Sequence, residues 1–219
     1  MKEVLFYAPV CRGIFFGVIT LQQKKVNIRK LCTIGIMSGL GALLMFFEFP
    51  VPALMPPFIK MDFSELPALL TAFAFGPLSG AAVCFIKNIL HLFAGQSMGI
   101  GELSNFILGA VFTLTAGVIY KHGKTRKSAL IGCLTGSAAM AVFSVFSNYF
   151  VIYPLYIKVL GFTMDAIVGM YREILPSAGS LFTALLIFNL PFTFIKGIID
   201  SIFCFIIYKP LSPVMKGKR

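Results

Sequence analysis

Apolar stretches of near-membrane length, each bordered by a short basic cluster, constrain this chain more than any other feature. Leu31–Phe47 follows Lys24, Lys25, Arg29 and Lys30. Leu103–Tyr120 runs into "KHGKTRK", Lys121–Lys127. Ala129–Ile152 follows that cluster, and Ser180–Tyr208 precedes a tail with Lys209, Lys216, Lys218 and Arg219. A helix needs roughly 20 apolar residues to cross a bilayer. With 58% hydrophobic residues, 12% charged residues and a mean hydropathy of +0.91, a soluble domain has no means of hiding so much apolar surface. The expected class is therefore an all-α integral membrane protein.

A fifth apolar region, Leu66–Ala94, reads as one long helix or as two short ones joined at Gly76-Pro77. Charge parity separates the two. Short Lys/Arg-rich flanks stay in the cytoplasm, so an even number of spans lies between any two of them. Two short helices meet that condition and one long helix does not. The expectation is six transmembrane helices with both termini cytoplasmic. The loops after the first, third and fifth spans then face outward, and residues 153–177 form a mixed loop. Residues 25–219 make the membrane domain. Residues 1–24 form an extension, lying along the interface or outside the working fold, to which no role is assigned.

The net charge of +11 lies beside the apolar runs rather than in a separate segment, which argues against nucleic acid as a partner and for the lipid bilayer. Five dispersed cysteines and two histidines give no metal-ligand spacing. "GKT" at Gly123–Thr125 lacks the glycine that a phosphate-binding loop needs five residues earlier; that position is Val118. No nucleophile elbow or metalloprotease pair occurs, so no catalytic residues and no cofactor are expected.

Polar residues inside spans are costly, so their positions carry information. Asn189, Thr193, Lys196 and Asp200 share one face of the last span, with Lys196 and Asp200 spaced for a same-helix ion pair. Glu102, Asn105, Gly109 and Phe112 share a face of the fourth. Ser144 and Asn148 lie on the fifth, Lys87 and His91 on the third. Such groups serve as interhelical glue in many membrane proteins. Here Glu102, Asn105, Asn148, Asn189 and Thr193 converge at one depth, beneath the outward loop "FIKMDFSELP" (Phe58–Pro67), as in a small-molecule pocket. The set holds amides and hydroxyls but no arginine cluster, which favours an uncharged, flat ligand over a phosphate or polycarboxylate. Gly35, Ser38, Gly39 and Ala42 on the first span form small-residue steps that suit close approach of another helix, inside the bundle or from a partner.

"FEFPVPALMPPFIKMDFSELPALLTAFAFGPLSG", "IKNILHLF", "GIGELSNFILGA", "NYFVIYPLY" and "PFTFIKG" together resemble the riboflavin-specific S components of energy-coupling factor (ECF) transporters, over about Lys25 to Pro213. The resemblance implies a six-helix subunit that binds riboflavin from outside, beneath the loop after the first span. It implies docking, through small residues of that span, on a membrane coupling subunit driven by two cytoplasmic ATPase subunits. It places Asn105, Asn148 and Lys196 at the ligand, Lys60 and Asp62 at the aqueous rim, and Glu65 near the start of the second span. One position departs from the pattern: the asparagine three residues before the lysine is Thr193. Either Asn189, one turn away, compensates, or the ligand is another vitamin or a flavin analogue.

Overall fold

The computed structural model describes residues 27–216 except 53–54, 58, 94, 96 and 177–178; side chains at 209, 210 and 212–216 are also outside the description. The extension 1–24 therefore lies outside the described residues. The described residues form helices, with one two-residue antiparallel ribbon among them. The elements are α1 (Ile28–Phe46), β1 (Phe49–Pro50), β2 (Lys60–Met61), α2 (Glu65–Phe75), α3 (Pro77–Leu92), α4 (Ile100–Gly123), α5 (Arg126–Ser147), α6 (Tyr153–Leu160), α7 (Met164–Ile174), α8 (Leu181–Ala184) and α9 (Leu190–Lys216). A π-helical turn, Asn148–Ile152, joins α5 to α6, and a second, Leu185–Asn189, joins α8 to α9.

Four of these helical stretches are long and apolar enough to cross a membrane: Ile28–Phe46, Ile100–Gly123, Arg126–Leu160 and Leu181–Tyr208. The other two apolar helices, Glu65–Phe75 and Pro77–Leu92, are shorter. Their surface is inverted relative to a soluble protein. On α1, Leu31, Ile36, Leu40 and Leu43 point outward, while Thr33 and Ser38 are buried. Several hydroxyls buried on helices return their hydrogen bond to the backbone one turn back, as Ser38 does to Ile34 (2.7 Å) and Ser137 to Cys133 (2.8 Å).

The break between α2 and α3 falls at Gly76-Pro77. Gly76 holds φ +97° and ψ 165°, a conformation open essentially to glycine alone, and Pro77 starts α3 without needing its absent N–H bonded. The chain reverses there. Residues equidistant from Gly76 meet: a Cβ on Gly80 would stand 2.7 Å from that of Ala72, and Lys87 reaches Glu65. A second hairpin turns at Lys124 (φ +50°), where a Cβ on Gly132 would stand 2.8 Å from the Ala116 carbonyl. Thr125 and Ser128 form a reciprocal capping box that starts α5.

Residues 153–177 are not a mixed loop. They contain α6 and the amphipathic α7, which Thr163 caps by accepting from Ala166 N (3.2 Å). Ile167, Val168 and Tyr171 form its buried face and join Tyr153, Leu181 and Leu185 in an apolar cluster. A second cluster, including Phe73, Phe112, Ala116, Cys133 and Met140, fills the space between α2, α3, α4 and α5. Met140 and Tyr153, one from each cluster, both line the cavity described next.

Candidate functional site

A cavity of about 580 Å³ opens between α4, α5, α6, α9 and the segment that carries the β-ribbon. Its size suits a drug-sized organic molecule. Met45, Met55, Leu108, Ile152 and Phe192 supply apolar wall. All eight residues expected around a ligand, Lys60, Asp62, Glu102, Asn105, Asn148, Asn189, Thr193 and Lys196, line this one cavity.

The polar groups form three sets. In the first, Asp62 Oδ2 accepts from Lys196 Nζ (2.8 Å) and from Asn105 Nδ2 (3.3 Å). Asp62 Oδ1 accepts from Ser64 N (2.8 Å) and from the Ser64 hydroxyl. Asp62 is 3% exposed, so it does not stand at the aqueous rim. The reason is electrostatic: Lys196 needs a counter-charge, and the segment before α2 brings Asp62 down to it. Burial alone would raise the Asp62 pKa. The Lys196 and Lys87 cations, with hydrogen bonds from Lys196 and Ser64, outweigh it and hold the carboxyl well below the usual range. Lys60 does lie near the rim, half-buried and paired with Glu48 at 2.5 Å.

Behind this set, Lys87 Nζ donates to Glu65 Oε1 (2.8 Å) and Ser64 Oγ (2.5 Å). The pair is fully enclosed. Gly109 makes the room: a Cβ there would fall 2.3 Å from Glu65 Oε2. The same-helix pairing that the spacing of Lys196 and Asp200 allows does not form. Lys196 turns to Asp62, and both Asp200 carboxylate oxygens are buried with no hydrogen-bond partner among the described residues.

The second set surrounds Glu102. His91 Nδ1 lies 2.9 Å from Oε1, and Ser97 Oγ donates to Oε2 at 2.6 Å. In the third, Tyr171 OH donates to Asn189 Oδ1 (2.7 Å) and meets Tyr153 OH at 2.5 Å. The Asn189 amide is thus held by the tyrosine pair. Asn148 and Thr193 carry no side-chain hydrogen bond among the described residues. Asn148 opens one π-helical turn and Asn189 closes the other. Such turns rotate a helix face within an otherwise continuous helix and recur at functional sites.

Sequence reading missed Tyr153, Tyr171, Ser97 and the π turns. The tyrosines fell in the supposed loop. The spacing Ile167, Val168, Tyr171 behind the Thr163 cap is the signal that marks α7. On α1, Gly35 and Gly39 face open space, but Ser38 and Ala42 are buried in the bundle. The exposed small-residue face is thus narrower than four residues.

An apolar-surfaced helical bundle that encloses a walled cavity with a few placed amides and charges is a membrane protein that binds a small organic molecule. Comparison with known proteins gives the family. The family model described as "ECF transporter, substrate-specific component" matches residues 29–208. The chain is 34% identical to the riboflavin transporter RibU of Staphylococcus aureus (strain TCH60) over 197 residues, 89% of this chain and 97% of that one. It is 32% identical over the same shares to the riboflavin transporter FmnP of Bacillus subtilis (strain 168). A solved structure described as the S component of a bacterial ECF transporter superposes with a TM-score of 0.67 at 34% identity, covering 87% of this chain and 98% of that one. The chain belongs to the substrate-specific components of ECF transporters. It is a substrate-binding subunit, not an enzyme.

Proposed function

We propose that this chain is the riboflavin-binding subunit of an ECF-type uptake transporter. The observation that carries the reading is the cavity. It combines apolar walls with an amide that has hydrogen-bonding capacity to spare, at Asn148, and its volume suits a flavin. The names of the two relatives quoted above supply the ligand. Glu102, Asn105, Asn148, Asn189, Thr193 and Lys196 contact the ligand, and the segment carrying Lys60 and Asp62 covers it. Lys196 exchanges part of its bond with Asp62 for the flavin.

The reading has six spans with cytoplasmic termini, supported by the two hairpins and the three basic flanks. Energy comes from a membrane coupling subunit and two ATPase subunits, with Gly35 and Gly39 on the docking side. Thr193 favours a second reading, a flavin analogue or another vitamin, because a hydroxyl cannot match an amide along a flat ring edge.

Titrating the purified protein with riboflavin and following quenching of flavin fluorescence tests the reading. One equivalent should saturate the wild type. Asn148→Ala should weaken binding by about 1–3 kcal/mol, the cost of a buried ligand group left unpaired. Unchanged affinity in that variant removes Asn148 from the site.

A further inference from the structure

Charges around the cavity pair off unevenly. Lys60 meets Glu48 at 2.5 Å and Lys196 meets Asp62 at 2.8 Å. Lys87, behind the wall, meets Glu65 at 2.8 Å. Each lysine is matched to one carboxylate. The remaining acidic group of the wall, Glu102, has only His91 and Ser97 as side-chain partners among the described residues. It is fixed where it stands. A Cβ on Gly95 would fall 1.9 Å from Glu102 Oε1, so the backbone closes directly on the carboxylate. Each Glu102 oxygen has one side-chain donor and keeps acceptor capacity for a ligand. The chain carries a net charge of +11, yet this wall offers no unmatched lysine or arginine among its described residues and one carboxylate without a lysine.

We infer that Glu102 is a specificity-determining residue: it accepts hydroxyl or N–H donors of a neutral ligand and sets the site against the phosphate monoester of that ligand. The inference rests on the riboflavin reading and deepens it. A phosphate ester brings a charge of about −1.5 to −2 at neutral pH. Inside this cavity it must either break a lysine–carboxylate pair or lie among carboxylates, and a buried like-charge approach is strongly unfavourable. The partial loss of the Lys196–Asp62 bond is common to both ligands, but a neutral polyol brings no added charge among the carboxylates and gains a strong acceptor.

The test compares riboflavin with riboflavin 5′-phosphate, each titrated into the full-length protein in detergent by fluorescence quenching. The wild type should bind the phosphate ester at least about tenfold more weakly. Glu102→Gln keeps the shape and one acceptor but removes the charge, and should narrow the ratio of the two dissociation constants about tenfold. Glu48→Gln unmatches Lys60 and should narrow it as well, which covers the case of a Glu102 variant that does not fold. Equal affinities in the wild type, or a ratio unmoved in the folded variants, overturn the inference. A wild type that ignores riboflavin itself overturns the riboflavin reading instead, and the inference falls with it.

Discussion

At the scale of single residues, the enclosed Lys87–Glu65 pair governs the middle of the bundle. Neither group touches solvent, and each satisfies the other together with Ser64. Removing one partner leaves an uncompensated charge in a low-dielectric interior. Lys87→Met should therefore destabilise the protein by about 3–5 kcal/mol, while the double replacement Lys87→Met with Glu65→Leu should recover much of the loss. Thermal unfolding in detergent measures both, and a double variant no better than the single one would show that the pair itself is not the source. The sequence displays Lys87 and Glu65 but not their contact. That contact exists only because the chain reverses at Gly76 and sets them opposite each other. Asp62 was misplaced at the rim for the same reason: its partner Lys196 is 134 residues away.

At the scale of elements, helix boundaries follow local chemistry closely. Gly76-Pro77 divides Leu66–Ala94 where a positive φ meets a proline N1, and both features are written in the residues. Gly76→Ala has open space for its methyl group, so its cost is backbone strain alone, about 1–3 kcal/mol. Gly35→Ala, also in open space but inside α1, provides the control and should be neutral to stabilising, by up to about 1 kcal/mol, in the same unfolding assay. An equal effect of the two substitutions would contradict the strained turn. The two π turns have no comparable signature. An inserted residue in a helix leaves composition and periodicity almost unchanged, so the rotation that brings Asn148 and Asn189 to the cavity emerges only with the fold. Helix α7 was overlooked because charged Asp165, Arg172 and Glu173 obscure a short apolar stripe.

At the scale of the whole molecule, polar residues of three spans line a common cavity: Glu102 and Asn105, then Asn148, then Asn189, Thr193 and Lys196. That convergence was legible because placing a polar group in a membrane is too costly to occur without a compensating role. The outward surface is apolar and carries the two exposed glycines of α1. Bulky replacement of Gly35 and Gly39 by leucine should spare riboflavin binding, since neither residue lines the cavity, but should abolish uptake in cells that supply the coupling subunits. Uptake that survives both replacements would move the docking face elsewhere.

The central claim is that the cavity holds a flavin. The most direct measurement is the near-ultraviolet and visible absorbance spectrum of the detergent-purified protein, before and after one equivalent of riboflavin and removal of free ligand. Flavin bands that stay with the protein at a one-to-one ratio are the predicted result. A colourless protein that returns all the added flavin to the flow-through would contradict it, and would make Thr193 the first residue to explain which ligand the cavity takes instead.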